Sequence, residues 1–342
     1  MYIPNSDHLP TNKLSAIFNS TTASYKFYWF LSILNFVEKG KVIIPKDDLF
    51  KEMAANAWYP ATYYNLSFGA QDKLAEALVN IKNSHQLSSN FDTLKLKVFL
   101  SSQTRFEITF RFLDKYVPYK FLTPWYPKIE NQKEIEILSQ GFENRAPYAL
   151  FKNHIEINPD WVNYLTQNNK ILKEYCYWNL SAFLQVRNPN TPNIASKLIP
   201  ELIRNNLTKQ REEFWKPTFE EIGFVPCIYT KEKLTLEANN FALDHFVPYS
   251  FVAHDLIWNL IPTEKIFNCS KSNKLPNLET HFDEFCYLQK TAFDIYQKKN
   301  PKGKFLEEYI HIFHKSQFDP KKLKETIEPL LMIARNNGFG IM

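Results

Sequence analysis

The chain has 342 residues, of which 44% are hydrophobic and only 7 are glycine, and its formal net charge is +5. This composition excludes a disordered chain, and without a GxGxxG or GxxxxGK[ST] pattern neither dinucleotide nor P-loop ATP binding has a sequence basis. A charge of +5 fits a nucleic-acid partner and is equally ordinary for a soluble protein. If ATP takes part, a second chain supplies its site.

The four cysteines, Cys176, Cys227, Cys269 and Cys286, include no CxxC pair. Scattered thiols in a chain of this length are typical of a reducing compartment, so we expect a cytoplasmic protein. The most apolar N-terminal run, residues 27–37, is too short to span a bilayer and lies too late for a signal peptide. No membrane is expected as a partner.

The N-terminal half is predicted to be mostly helical, with a few strands. Helices are expected at residues 25–38, from Pro45 to about residue 58, and at 69–81. Residues 95–99 and 106–110 alternate apolar and polar side chains, which is the period of half-buried strands. We expect the N-terminal half, taken as residues 1–165, to be a domain that selects a substrate or a partner.

The second predicted domain, residues 166–342, begins with an aromatic-rich helix at 171–186. The segment RNPNTP that follows is a turn, because proline restricts the residue before it and asparagine tolerates turn geometry. Short helices are expected at 195–205 and 209–214. Beyond Pro276 the chain is helical, with Asp319 and Pro320 starting the last helix and Gly338 ending it.

The most informative segment, residues 244–276, reads DHFVPYSFVAHDLIWNLIPTEKIFNCSKSNKLP. It places Asp244 and His245, then Asn259, then Asn268 and Lys271 among apolar, strand-like residues. Burying such polar side chains is costly unless they are paired or perform chemistry. This segment is therefore the candidate site.

Hydrolysis of a phosphodiester needs a base for the attacking water and positive charge beside the phosphate oxygens and the leaving oxygen. His245 suits the first task because imidazole titrates near working pH. Asp244 and Asn268 suit the second as oxygen ligands of Mg²⁺, which needs only one or two protein ligands. The segment therefore predicts a metal-dependent phosphodiesterase.

Adjacent residues of an extended strand point to opposite faces, so Asp244 and His245 can meet one phosphate only where a strand bends or ends. Pro248 fits such an end. We expect a returning strand at 258–262 and a short helix at 264–272 that brings Asn268 beside Asp244. The prediction is a strand–loop–strand–helix unit around one metal ion.

These residues resemble the HNH, or His-Me finger (ββα-metal), endonuclease family. The likeness to the HNH domain of RNA-guided CRISPR nucleases rests on the Asp-His-x-x-Pro opening, Ser250-Phe251, the central Asn259 and the Asn-x-x-Lys-Ser ending at 268–272. It carries no implication of RNA guidance. Residues 146–276 are also similar to bacterial HNH proteins, which often serve in restriction or phage defence.

The resemblance implies a role for each matching residue. It makes His245 the general base and Asn259 the residue that holds the hairpin and orients the histidine. Lys271 would face a phosphate. Asp244 and Asn268 would bind the metal. The cofactor implied is Mg²⁺ (or Mn²⁺).

Asn273 is a second choice of metal ligand, since some relatives use a later residue; the alternative is an ordinary helix-end residue. Many HNH domains carry a zinc ion held by two CxxC pairs, but here Thr230 stands where the partner of Cys227 would fall. We therefore expect no structural zinc. The residues expected to pack in its place are Phe246, Trp258, Ile266 and Phe267.

Arg204, Lys209 and Arg211 precede this segment and are candidate contacts to backbone phosphates. His254 and Asp255 are read as a solvated loop, with a substrate contact as the alternative. The aromatic stretch 110–126 is read as core, with base stacking as the alternative.

The fold class predicted is thus α+β and mostly helical, with a zinc-free ββα-metal finger, core about 225–276, embedded among helices. The function predicted is a metal-dependent DNA endonuclease of restriction or anti-phage type, cutting by a one-metal HNH mechanism. A toxin-like nuclease acting on RNA and a non-catalytic nucleic-acid-binding protein with a relic finger remain open. So do a regulatory or ATPase partner protein and a homodimer.

Overall fold

A computed structural model describes residues 2–103, 106–198, 205–314 and 317–342. The chain divides into two compact units. Unit 1 comprises Met1–Pro189 and Ile194–Leu202, and unit 2 comprises Asn190–Asn193 and Ile203–Met342. Helices predominate and all sheets are small and antiparallel, so the prediction of a mostly helical α+β protein is confirmed.

Unit 1 is built around a helix that is buried on nearly every side, residues 25–38, as its sequence predicts. Such a helix must be surrounded by other elements. Its neighbours include four helices, and Trp29 donates a hydrogen bond of 3.1 Å to Tyr148 in a three-stranded sheet of order β1-β3-β2. The elements of unit 1 are α1 (Thr11–Ser15), α2 (Tyr25–Glu38), β1 (Ile43–Pro45), α3 (Lys46–Trp58), α4 (Lys73–Ser84), α5 (Thr93–Ser102), α6 (Phe106–Tyr116), α7 (Pro118–Phe121), α8 (Gln132–Gln140), β2 (Tyr148–Leu150), β3 (His154–Ile157), α9 (Pro159–Gln167) and α10 (Asn169–Arg187).

The two strands predicted at 95–99 and 106–110 are wrong, because both stretches are helical, in α5 and α6. The alternation of apolar and polar residues in 95–99 coincides with a helical spacing: Leu96 and Leu100 are four residues apart and both are buried. Asp92 caps α5 by accepting a hydrogen bond from the Lys95 amide at 2.9 Å. A short apolar run does not by itself distinguish the two periods.

The division between the units lies further along the chain than the predicted boundary at 165/166. That boundary falls inside α9, near its end, and both α9 and α10 belong to unit 1, where they pack against α2. The turn after α10 is divided between the units, with Asn188 and Pro189 in unit 1 and Asn190–Asn193 in unit 2. There the Asn188 carboxamide bonds both the amide and the carbonyl of Ser67, at 2.9 and 2.8 Å, and so substitutes for a peptide group.

Unit 2 carries a second core of buried aromatic and aliphatic side chains, including Phe214, Phe246 and Phe285. Of the predicted short helices, 195–205 has a 3₁₀ turn at Ala195–Lys197, and its residues 199–204 lie outside the described chain. The elements of unit 2 are α11 (Lys216–Ile222), β4 (Val225–Pro226), β5 (Lys233–Leu234), β6 (Phe241–His245), α12 (Tyr249–Val252), β7 (Leu260–Glu264), α13 (Lys265–Lys271), α14 (Leu278–Lys299), α15 (Lys304–Phe313) and α16 (Pro320–Asn336).

The helix predicted at 209–214 continues further than expected. A π-helical segment, Gln210–Trp215, runs directly into α11, and Pro217 lies in the first turn of α11. Proline is tolerated there because the amide of that position has no helical partner in any case. Across the described residues, no helix is both long and apolar enough to cross a bilayer.

Candidate active site

The candidate site is formed by the hairpin of β6 and β7 together with α13. The strands pair antiparallel, with Asp244 opposite Ile261 and His245 opposite Leu260. β6 ends at His245, and α13 follows β7 with no intervening residue. The strand end lets the neighbouring acid and imidazole both be buried, at 6% and 4% exposure. The strand–loop–strand–helix order is the one predicted from the sequence.

Lys271, at the end of α13, points back to the strand end and joins it to the helix. Its Nζ lies 2.9 Å from Asp244 Oδ2 and 3.3 Å from Oδ1, and it donates a hydrogen bond of 2.9 Å to the His245 carbonyl. The lysine side chain is completely buried. The resemblance implies that Lys271 faces a phosphate. In this structure its charge instead balances that of Asp244.

His245 is held by Asp255, which the sequence pattern predicts to lie in a solvated loop. Its Nε2 lies 2.9 Å from Asp255 Oδ1, and the Asp255 side chain is only 11% exposed. Asp255 in turn accepts a hydrogen bond from Asn205 at 2.7 Å through its second oxygen. A carboxylate bound at Nε2 favours the tautomer with hydrogen there, which leaves a lone pair on Nδ1. The solvated reading of Asp255 is therefore corrected.

Asn259 fixes the loop that leaves His245. It is completely buried, and its carboxamide accepts from the Val247 amide and donates to the Val247 carbonyl, both at 2.8 Å. The Asn259 carbonyl also accepts from the Phe246 amide at 2.8 Å. The hairpin is thus closed by side-chain bonds where the strand ladder stops.

The opposite end of the loop is held from α14 and α15. Gln289 donates to the carbonyls of Ile257 and Leu260, at 3.3 and 2.7 Å, and accepts from the Tyr309 hydroxyl. Glu308 accepts from the Ile257 amide. Burial raises the pKa of Glu308, partly offset by this hydrogen bond. The only sequence signal for this network is a glutamine and a tyrosine on otherwise apolar helix faces.

The two predicted asparagine ligands lie beside this cluster but do not bond to it. Asn268 is half-buried on α13, three residues before Lys271, and so shares the helix face that meets Asp244. Asn273 lies in the turn beyond α13, and is also half-buried. In the described parts of the chain, neither carboxamide forms a hydrogen bond with Asp244 or His245.

The donor set suits a hard divalent cation. Asp244 Oδ2 is buried and has no hydrogen bond of good geometry, and its ion pair with Lys271, at 2.9 Å, would have to share this oxygen with a bound cation. Asn268 would add a carboxamide oxygen on the same face. Oxygen donors of this kind fit Mg²⁺ or Mn²⁺. The described ranges contain no group of three or more His, Cys, Asp or Glu side chains able to hold a metal.

Tyr229 is a further neighbour of the carboxylate that the sequence did not indicate. Burial raises the pKa of its phenol well above the usual value, and the charge of Asp244 raises it further. Its ring stacks on Phe267, with centroids 4.9 Å apart. Phenol, carboxylate and ammonium therefore form one buried polar cluster.

The packing expected in place of zinc is confirmed for some residues and wrong for one. Phe246 and Trp258 are buried, and Phe267 packs on Tyr229. Ile266 is 78% exposed, because it lies on the outer face of α13. Cys227 is buried in the apolar core of unit 2.

The basic residues predicted to bind phosphate lie in different places. Arg204 is outside the described residues. Lys209 is exposed and precedes Gln210, whose side chain donates to the Asp255 carbonyl at 3.2 Å. Arg211 instead covers the Phe241 ring at 4.3 Å and donates to Asn239.

Comparison with known proteins agrees with this geometry. Residues 227–277 match the family of HNH endonucleases, and this segment of the chain is an HNH-family domain. The match contains β6, β7 and α13 with every predicted site residue from Asp244 to Asn273. No curated protein and no solved structure gave a match to the chain. The HNH domain indicates a nuclease with a nucleic-acid substrate.

Proposed function

We propose that the chain is a divalent-metal-dependent endonuclease that hydrolyses DNA phosphodiester bonds with His245 as the general base. The observation that carries the proposal is the convergence of Asp244, His245 and Lys271 at one strand end, inside the HNH-family segment. Imidazole is the side chain best suited to take a proton near neutral pH.

The proposed reaction begins with removal of a proton from water by Nδ1 of His245, the nitrogen that the Asp255 pair leaves with a lone pair. The water oxygen forms a bond to phosphorus, and the bond from phosphorus to the leaving oxygen breaks. The leaving oxygen then takes up a proton from solvent water, and the imidazolium returns its proton to solvent. Asp255 supports the imidazolium formed, as an acid beside a catalytic histidine does.

Asp244 and Asn268 would hold the divalent ion, Mg²⁺ or Mn²⁺, with Asn273 as the alternative oxygen donor. When bound, such an ion neutralises charge on the phosphate and stabilises the leaving oxygen. Lys271 then has a positioning role, because its ammonium fixes the Asp244 carboxylate and the His245 carbonyl in one place.

Lys209 is proposed to contact a backbone phosphate next to the scissile bond. It is exposed, and it precedes Gln210, which touches Asp255. Arg204 and Arg211 belong to the same proposal as further phosphate contacts, although Arg211 would have to leave the Phe241 ring. Phosphate contacts of this kind position DNA without reading its sequence.

We place this activity in the cytoplasm, in restriction or anti-phage defence. All four cysteines are free, as expected in a reducing compartment. A nuclease in the cytoplasm requires a control that protects the host genome. Such a control could be a sequence preference, recognition of a modified base, or a regulatory or ATPase partner protein. A homodimer would supply two active sites for cutting both strands.

The test is incubation of purified protein with supercoiled plasmid and Mg²⁺, Mn²⁺ or Ni²⁺, with total RNA assayed in parallel. We expect plasmid cleavage by the wild type and a loss of at least about 100-fold in His245→Ala, the usual contribution of a general base. His311→Ala, which removes an exposed imidazole on α15, is the matched control. RNA cleavage alone would favour the toxin-like reading, and full activity in His245→Ala would exclude this base.

A further inference from the structure

Unit 1 contains a cavity of about 700 Å³ on the surface between the start of α2 and the segment from α6 to α7. Three lysines line it, Lys26, Lys73 and Lys120, against one carboxylate, Glu130. The cavity is thus cationic by two charges. Its size lies within the range of small-molecule and cofactor sites.

The lysines of this cavity are not neutralised by the protein. Among the described residues, none of the three takes part in an ion pair. Lys26 Nζ donates to the carbonyls of Ile17 and Ser20, at 3.1 and 3.2 Å, which leaves one of its three hydrogens. Burial lowers the pKa of Lys26, and the charge of Lys120 lowers it further. Two ammonium groups that repel each other across a cavity are stabilised by an anion between them.

The same cavity has aromatic walls. Tyr25, Tyr116, Tyr119 and Tyr126 line it, and the Tyr116 ring is 41% exposed. The Lys120 ammonium lies 5.4 Å from the centre of that ring. The hydroxyls of Tyr25 and Tyr126 already bond to backbone groups, so Tyr116 and Tyr119 are the rings open to a ligand.

We propose that this cavity binds a nucleotide unit, with the phosphate between Lys26 and Lys120 and the base against Tyr116. The Lys120 ammonium and the Tyr116 ring are neighbours on the cavity wall, so one nucleotide can contact both. Aromatic stacking of bases and cationic grooves along the backbone are the two elements of single-strand binding. A base inside a duplex is shielded by its neighbours, so the ligand is an unpaired nucleotide.

The unit can come from a single strand or from a free nucleotide. A second cavity of about 700 Å³ adjoins the first and shares Lys73 and Phe112 with it. It is lined by further polar groups, His85, Gln103 and the carboxylate of Glu76 among them. A second nucleotide of a strand would extend from the first cavity toward this one, which favours a strand as the source.

The test is binding of fluorescein-labelled oligo(dT), and its competition by unlabelled dTMP, to the full chain carrying His245→Ala, without divalent ions. We expect Tyr116→Ala to weaken binding about 10-fold, the loss for one stacked base. Lys120→Met should lower the dependence of log affinity on log salt by about 0.7, the value for one phosphate contact on a single strand. Lys41→Met removes an exposed lysine beyond the end of α2, whose start lines the cavity, and should leave binding unchanged.

The two sources of the ligand give different competition. If the site binds a strand, millimolar dTMP does not displace the labelled oligo(dT). If the site binds a mononucleotide, dTMP displaces the oligo(dT), and Tyr116→Ala and Lys120→Met lose the same affinity for dTMP. Thermal unfolding of each variant shows whether the fold is kept. Folded Tyr116→Ala and Lys120→Met proteins that bind both ligands as the wild type does would overturn the proposal. Since binding is measured without cleavage, this result is independent of the plasmid assay.

Discussion

The lysine at the strand end of unit 2 and the lysines of the cavity in unit 1 differ in whether the protein neutralises them. In unit 2, Lys271 is completely buried and bonded to Asp244, and His245 is paired with Asp255. In unit 1, Lys26, Lys73 and Lys120 share a cavity without an ion pair in the described chain. A charge satisfied by its own protein fixes geometry, whereas a charge left unsatisfied favours a charged ligand.

The comparison predicts a large stability loss on removing the paired lysine. Lys271→Met leaves the buried Asp244 carboxylate without its counter-charge, and breaking a buried pair in this way costs about 3–5 kcal/mol. Lys120→Met removes an exposed lysine from the cavity and should change the unfolding free energy by less than about 0.5 kcal/mol. Urea unfolding followed by circular dichroism measures both.

Melting temperatures measured with added Mg²⁺ test the same ion pair in a second way. If Asp244 binds the ion, added Mg²⁺ restores a compensating charge, so it should raise the melting temperature of Lys271→Met more than that of the wild type. The double variant that combines Lys271→Met with Asp244→Asn should lose this Mg²⁺-dependent rise in melting temperature. Equal stability losses in Lys271→Met and Lys120→Met would contradict the comparison.

The second prediction concerns the amide that closes the hairpin. Asn259→Ala leaves the Val247 amide and carbonyl buried without partners, at about 1–3 kcal/mol for each group. We expect a loss of about 2–4 kcal/mol and a finger that exchanges amide hydrogens faster. Asn268→Ala is the matched control, since its half-buried carboxamide bonds neither strand. A loss confined to the control would show that the loop is held in another way.

The third prediction tests whether Asp255 positions His245. Asp255→Asn keeps the size of the side chain but removes its charge, so the imidazole loses the support of its Nε2 hydrogen. We expect plasmid cleavage to fall about 10- to 100-fold, with a shifted pH profile and little change in DNA binding. Asp294→Asn, on the exposed side of α14, is the control. An unchanged pH profile would leave Asp255 a structural residue only.

The sequence predicts the strand–loop–strand–helix unit because its polar residues interrupt apolar strands at fixed spacing. It does not predict the partners of those residues. Asp255 bonds His245 across ten residues, and Gln289 reaches Ile257 across 32, so both contacts depend on how the elements pack. The prediction of a strand at residues 95–99 is wrong because a short run with alternating polarity also fits one face of a helix.

The smallest expected effect concerns an acidic side chain of unit 2 that has no ion-pair partner among the described residues. Glu308 accepts a hydrogen bond from Ile257 but forms no ion pair among the described residues, and burial raises its pKa. A raised pKa means that the folded state binds the proton more tightly than the unfolded state does. The cost of burying the charge is therefore absent below the ordinary pKa of a glutamate and complete above the pKa in the folded state.

Glu308→Gln keeps an acceptor without that charge, so it should be more stable than the wild type at pH 7.5, by less than about 1 kcal/mol because the site is partly solvated. The advantage should disappear near pH 4, and melting temperatures at the two pH values, with the exposed Glu307→Gln as control, measure it. A variant less stable than the wild type at pH 7.5 would mean that the hydrogen bond to Ile257 outweighs desolvation of the carboxylate.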